Sequence, residues 1–135
     1  MIKYNISDLS LISKYLDLYR KCFKDYDRNI TYLKWLYSEN PKGNFIGIDA
    51  FDGDKLVGQI GGIPLNFNFF NNPIKTLVSI NICIDKRYRG SRIFFNLASL
   101  FFNIVSTNDS IPGLKVLIFV SSIFTLVCAV EALHR

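Results

Sequence analysis

Hydrophobic residues recur along this chain with two different periods. Alternation over a short stretch predicts a strand, whereas a spacing of three and four residues predicts an amphipathic helix. In chain order, the expected elements are a strand at 2–5, helices at 9–23 and 32–38, strands at 45–51, 56–70 and 75–84, a helix at 93–105, a strand at 115–120 and a helix at 123–133. Two helices, three hairpin-connected strands, a helix and a further strand are typical of a mixed α/β domain.

Capping and turn residues support these boundaries. Ser7 or Asp8 is expected to cap the first helix, and Thr31 the second. The turn Asp52-Gly53-Asp54 is a hairpin signal between the first two long strands. Three glycines in the following strand predict a bulge or a close backbone approach: Gly58, Gly61 and Gly62.

The end of the sequence is the most apolar part. Residues 116–130 would form a helix of about 22 Å, against about 30 Å of membrane hydrocarbon, so a buried strand and a buried helix fit better than a membrane span. The helix expected at 123–133 is apolar on nearly every side, so a monomer would expose much of it. Three explanations are open: a truncated or frame-shifted product, a partner or second copy that makes a homo-oligomer through this helix, and attachment to a membrane surface. We favour truncation.

Length and charge limit the functional class. The 135 residues are enough for one domain over 1–135, and 50% hydrophobic with 20% charged residues indicates a globular chain. The net charge of +5 suits an anionic ligand, which a phosphate-bearing cofactor provides as well as nucleic acid does. Nucleic acid is not expected as a partner, because only Tyr88 interleaves an aromatic ring with the clustered charges.

Cysteine and histidine usage argues against metal and disulfide chemistry. Cys22, Cys83 and Cys128 lie far apart in apolar surroundings, as expected for reduced core residues of a cytoplasmic protein. The single histidine, His134, is the penultimate residue. We therefore expect no metal cofactor. Because no apolar stretch typical of a secretory signal opens the sequence, we also expect a cytoplasmic location.

Residues 82–92 carry the clearest chemical signal, because a buried strand runs through a basic turn into a helix. The first N–H groups of a helix have no internal partner, and the helix dipole adds about half a positive charge there. Gly90 lets the backbone approach a phosphate without a Cβ in the way. Arg87, Arg89 and Arg92 are placed to neutralise phosphate charge. The alternative is a solvated basic turn without a ligand.

The segment Arg87-Tyr88-Arg89-Gly90-Ser91-Arg92 is similar to the pyrophosphate-binding motif Q/R-x-x-G-x-G/A of the GNAT superfamily of acyl-CoA-dependent N-acetyltransferases. Arg87 matches the first position and Gly90 the fourth, whereas Arg92 stands where the motif has a small residue. The stretches 32–43 and 52–58 also resemble the superfamily. The resemblance covers about residues 1–105. It implies an α/β (α+β) fold with a mixed, mainly antiparallel central sheet flanked by helices, here lacking the last strands and incomplete at the C-terminus.

The resemblance also implies a reaction and a site. Acetyl-CoA or another acyl-CoA would be the co-substrate, and the acyl group would pass by direct attack to a primary amine on a small molecule, sugar or peptide. By position, the backbone of Ile82, Cys83 and Ile84 would bind the pantetheine arm. The diphosphate would be held by the amides of a continuous run: Arg87, Tyr88, Arg89, Gly90, Ser91 and Arg92.

The catalytic groups are less apparent. Residues 75–84 contain no carboxylate, so Asp85 is the nearest candidate for the base, and no tyrosine follows Val120 to act as the acid. Two alternatives to an enzyme therefore remain open. One is a non-catalytic remnant or CoA-binding module, and the other is a small membrane-associated protein anchored by residues 116–130.

Overall fold

The computed structural model of the chain describes residues 1–107, 114–120 and 125–129. Three α-helices and seven strands are present in these ranges. In chain order they are β1 (Ile2–Ile6), α1 (Ile12–Cys22), α2 (Ile30–Ser38), β2 (Ile46–Asp52), β3 (Lys55–Phe69), β4 (Asn72–Ser79), β5 (Cys83–Ile84), α3 (Ile93–Thr107), β6 (Leu114–Val120) and β7 (Thr125–Ala129). Two short 3₁₀ helices, Leu9–Leu11 and Lys86–Tyr88, precede α1 and α3.

The strands form one mixed sheet in the order β1-β2-β3-β4-β6-β7, with β5 beside β3. All neighbouring pairs are antiparallel except β4 and β6, which run parallel. A parallel pair needs a crossover connection, and α3 lies between these two strands in the chain. The predicted fold class, a mainly antiparallel sheet flanked by helices, is confirmed.

Helices cover both faces of the sheet. On one face, α3 packs Leu97 and Phe101 against Ile48, Ile60 and Leu77. The other face carries α1 and α2. Its cluster includes the fully buried side chains of Tyr15, Tyr19, Leu33 and Tyr37.

Two local predictions need correction. Asn29, not Thr31, caps α2, since the Asn29 side chain accepts the N–H of Tyr32 while Thr31 is already inside the helix. The single strand expected at 75–84 is divided into β4 and β5. A hydrophobic run does not reveal such a break, because it depends on register with the neighbouring strand.

The prediction of a helix at 123–133 is wrong for residues 125–129. They form β7, which pairs antiparallel with β6 from Val116↔Ala129 to Val120↔Thr125. A short apolar run has no period that separates a buried strand from a buried helix, so hydrophobicity alone could not distinguish the two here. The rest of the predicted helix lies outside the described residues. Oligomerisation through this segment stays a prediction.

None of the helices in the described part of the chain combines the length and hydropathy needed to span a bilayer. The stretch 116–130, considered above as an anchor, contains β6 and β7 where it is described.

Candidate cofactor site

A β-bulge separates β4 from β5. Ser79 pairs with Gly62 and Cys83 pairs with Gln59, which leaves three residues between the pairs on one strand and two on β3. The extra residue bends the strand and interrupts its ladder. Asn81, within the bulge, has a positive φ of 53°, a conformation that asparagine tolerates better than most residues.

Three hydrogen bonds fix the bulge. The backbone oxygen of Gly61 accepts from the Ser79 hydroxyl at 2.7 Å and from the N–H of Ile80 at 3.1 Å. The Asn81 side-chain amide donates to the hydroxyl of Tyr37 at 2.9 Å. The bulge is therefore attached both to β3 and to α2.

The Tyr37 contact belongs to a buried polar network. The hydroxyls of Tyr37 and Tyr19 lie 2.8 Å apart, and Tyr19 donates to the side-chain oxygen of Gln59. The Gln59 amide in turn donates to Asp49 at 2.8 Å. Burial raises the pKa of Asp49, although hydrogen bonds from Ser7, Tyr15 and Gln59 oppose the shift. The network connects the bulge to the centre of the sheet, so the shape of the site depends on the core.

One edge of β5 is open. The N–H of Asp85 donates to the oxygen of Val57 on β3 at 2.8 Å. Successive backbone groups of a strand point to opposite edges, so the N–H of Ile84 points away from β3. The pairing of β4 with β6 ends at Ser79↔Phe119, and no other described strand pairs with the second edge of β5. The Ile84 oxygen on this edge accepts from Arg89 Nε at 3.1 Å, so the N–H of Ile84 is the group that an extended ligand can bond.

In the basic turn, residues 87–92, three backbone N–H groups are hydrogen-bonded and three have no acceptor among the described residues. The N–H groups of Arg87, Tyr88 and Arg89 bond to the Asp85 side chain, the Asp85 oxygen and the Lys86 oxygen. No acceptor for the N–H groups of residues 90–92 is found within the described ranges. Of the six amides proposed from the sequence to hold a diphosphate, three are already engaged.

Gly90 has the conformation that the motif requires. Its φ is +82°, and a Cβ placed on it would meet no atom within 4 Å. Glycine is therefore favoured here by its backbone conformation and leaves space for a ligand to approach the backbone. Close packing against other protein atoms does not require it.

The side chains of the turn point in different directions. The Tyr88 hydroxyl donates to Asp52 at 2.6 Å, away from β5. Arg92 lies over the ring of Phe95, with 5.7 Å between the guanidinium carbon and the ring centroid. Arg89 donates from Nε to the oxygen of Ile84 at 3.1 Å, so its guanidinium lies beside the open edge.

Asp85 is held by two cations. Its carboxylate accepts from the backbone N–H of Arg87 at 3.0 Å and from Arg87 Nη2 at 3.1 Å, and Lys55 Nζ lies 3.5 Å away. The hydrogen bonds from Arg87, with the charges of Arg87 and Lys55, lower the pKa of Asp85 well below its usual range. A lower pKa makes the carboxylate a weaker base. Its catalytic role stays a prediction.

A cavity of about 310 Å³ brings most of the predicted residues together. Six of the predicted cofactor-binding residues line it: Ile82, Cys83, Ile84, Arg89, Gly90 and Ser91. The other three predicted residues, Arg87, Tyr88 and Arg92, are not among its lining residues. A larger cavity of about 720 Å³ lies between the 41–44 loop and the β3–β4 hairpin, remote from the basic turn.

Three residues of the cavity wall were missed by the sequence analysis. Cys22 and Phe23 come from the end of α1, and Phe94 from the start of α3. Nothing in the sequence connects residues 22–23 with 82–91, because only the packing of α1 beside β5 brings them together.

The chain also matches a known family. A family model described as the acetyltransferase (GNAT) domain matches residues 5–111, which is more than half of the chain. The chain belongs to the GNAT acetyltransferase family. The family predicted from the basic turn is thereby confirmed, and membership supports acyl transfer as the general activity. A comparison of this chain with curated proteins found no match.

Solved structures show the same fold. A predicted acetyltransferase from Clostridium acetobutylicum, determined with acetyl-CoA, has a TM-score of 0.69 and 14% identity over 90% of this chain and 82% of its own. An aminoglycoside acetyltransferase from an uncultured soil metagenomic sample, in complex with sisomicin, has a TM-score of 0.63 and 17% identity over 90% and 78%.

A probable N-acyltransferase from Enterococcus faecalis has a TM-score of 0.69 and 11% identity over 90% of this chain. The present chain spans only 30% of the length of that protein. At these identities the similarities show the fold alone.

Proposed function

We propose that this GNAT domain transfers an acetyl or other acyl group from acyl-CoA to a primary amine. The observation that supports the proposal most strongly is the meeting of the open β5 edge and the free amides of Gly90 and Ser91 at one cavity. A pantetheine arm carries amide groups that can pair with a strand edge, and a diphosphate suits unpaired amides at a helix start. The predicted ligand therefore matches both features.

Different residues would bind the pantetheine arm and the diphosphate. The backbone of Ile82 and Ile84 would pair with the pantetheine arm, while Cys83 is turned into the core beneath it. The amides of Gly90 and Ser91 and the guanidinium of Arg89 would hold the diphosphate. Arg87 would act indirectly, since its ion pair with Asp85 closes the turn that presents Gly90.

In the reaction, the amine nitrogen would bond to the acyl carbon of the thioester as the carbon–sulfur bond breaks, and the CoA thiolate would leave and take a proton from solvent. The protein would bind the thioester and hold it in place for attack by the amine. None of the described residues that line the cavity carries a carboxylate. We therefore assign Asp85 to holding the turn, and the ammonium proton would leave to solvent.

The acceptor class follows only from a neighbour. The structural neighbour from soil is an aminoglycoside acetyltransferase, so polycationic small molecules with primary amines belong in the first panel, beside amino sugars and short peptides. A cytoplasmic location would be consistent with the reduced cysteines.

The test is an acyl-transfer assay that measures release of the CoA thiol with this panel. The matched variants are Gly90→Ala and Gly53→Ala, since both residues have positive φ and open space for a Cβ, but only Gly90 lines the cavity. Each substitution is expected to cost about 1 kcal/mol of stability. Only Gly90→Ala should lower kcat/KM, by about tenfold or more.

Two outcomes would contradict the proposal. Equal turnover in both variants would place the cofactor elsewhere. Binding of acetyl-CoA without turnover of any amine would favour the non-catalytic CoA-binding module.

A further inference from the structure

Two of the three cysteines meet in the wall of the cavity. Cys22 is the last residue of α1 and Cys83 the first residue of β5, elements whose Cα atoms approach within 8 Å. Both residues line the cavity, both are free thiols, and Cys22 packs against the buried cluster that contains Cys83. Residues 61 positions apart in the sequence thus form a dithiol, which the sequence analysis had read as unconnected core cysteines.

The two thiols have opposite environments. The hydrogen bond from Cys83, followed by the charge of Arg89, lowers the pKa of Cys22. The hydrogen bond to Cys22 and burial raise the pKa of Cys83. Cys22 is also the more accessible of the two, because Cys83 is only 6% exposed. Cys22 therefore has the properties of an attacking thiolate, and Cys83 those of a proton-bearing partner.

Arg89 is the single charged side chain among the described residues of this wall. Arg89 lines the same cavity as Cys22, and its positive charge favours an anionic reactant there. A thiol with a lowered pKa, a second thiol in the same cavity wall and a cation beside them together favour thiol–disulfide exchange.

We propose that Cys22 and Cys83 form a redox site, in which the disulfide of an anionic low-molecular-weight thiol oxidises the pair to an intramolecular disulfide. We further propose that acyl-CoA in the cavity protects the pair, a statement that rests on the proposed function.

The exchange takes two steps. The Cys22 thiolate bonds to one sulfur of the small disulfide, whose S–S bond breaks and releases one thiolate. Capping Cys22 removes the negative charge and the hydrogen bond that hold the pKa of Cys83 high. Cys83 then gives its proton to the released small thiolate or to solvent, its sulfur bonds to the Cys22 sulfur, and the second small thiolate leaves. Two protein thiols are oxidised and one small disulfide is reduced.

The experiment uses the full chain, reduced and folded, with glutathione disulfide as the probe. After alkylation and tryptic digestion, the three cysteines fall in separate peptides, 22–24, 76–86 and 116–135. Mass spectrometry should find peptide 22–24 joined to 76–86. In Cys83→Ser, glutathione should stay attached to Cys22, and in Cys22→Ser the Cys83 peptide should stay unmodified.

Attachment of glutathione to Cys83 rather than Cys22, or a joined peptide that contains Cys128, would overturn the redox site. Recovery of all three cysteine peptides with only the alkylating group attached would also overturn it. A repeat with saturating acetyl-CoA should slow formation of the 22–24/76–86 product by about tenfold or more. An unchanged rate would leave the redox site standing and count against the placement of acyl-CoA in this cavity.

Discussion

Asp85 determines how the basic turn is used. Read from the sequence, Arg87 occupies the first motif position and was expected to face phosphate. In the structure its guanidinium is paired with the Asp85 carboxylate two residues earlier, 3.1 Å away. Contacts between side chains two residues apart depend on the conformation of the turn, which the sequence pattern does not specify. Gly90 could be predicted, because its role follows from lacking a Cβ.

The Asp85 contacts predict a pH-dependent stability. A carboxyl group whose pKa is lower in the folded state stabilises the fold above its unfolded pKa of about 4, and this stabilisation is lost as the pH falls further. Asp85→Asn should therefore unfold at lower urea concentration than the wild type at pH 7. The difference should shrink as the pH falls below about 4.

Asp17→Asn provides the control for this prediction, since Asp17 is exposed on α1. It should leave the urea midpoint nearly unchanged at both pH values. A deficit of Asp85→Asn that is as large at pH 3 as at pH 7 would show that the ion pairs do not stabilise the turn.

At the level of elements, the sequence predicts the strands better than their interruptions. The glycine-rich segment of β3 correctly indicated a bulge or close approach, and the bulge lies opposite Gly61. The break between β4 and β5 could not be predicted. It arises because three residues on that side lie opposite two residues of β3, and the sequence does not specify this register. Likewise, the apolar run at 125–129 fits a helix or a strand until β6 pairs with it.

The close neighbours of two glycines in β3 predict different responses to an added methyl group. A Cβ on Gly61 would lie 2.6 Å from the backbone oxygen of Ile46, which cannot move without breaking the sheet. A Cβ on Gly58 would lie 3.3 Å from the flexible Leu97 side chain. In urea unfolding, Gly61→Ala should lower the free energy of unfolding by about 2 kcal/mol or more, whereas Gly58→Ala should change it by less than about 1 kcal/mol.

Equal losses in the two glycine variants would contradict the close approach of β2 to Gly61. Because Gly61 also accepts the hydrogen bonds of Ser79 and Ile80, a folded Gly61→Ala protein should bind acyl-CoA more weakly as well.

For the whole molecule, family and fold were predictable from a small number of residues. A glycine-containing basic turn placed after a third hairpin strand sufficed, since the order of elements restricts where an anion site can form. The cavity was only half predictable. Its β5 and turn residues are contiguous in the sequence, whereas Cys22 and Phe23 reach it through tertiary packing alone.

The most direct test of the cofactor site is calorimetric titration of the purified chain with acetyl-CoA. The matched variants are Ile84→Pro, which removes the outward N–H of β5 but leaves the bond from Asp85 to Val57, and Ile84→Val, which keeps the N–H. The wild type and Ile84→Val should bind one acetyl-CoA with similar affinity. Ile84→Pro should bind about tenfold more weakly, the effect of losing one hydrogen bond of about 1.4 kcal/mol. No saturable binding by the folded wild type, or equal affinity in Ile84→Pro, would contradict the placement of acyl-CoA along β5.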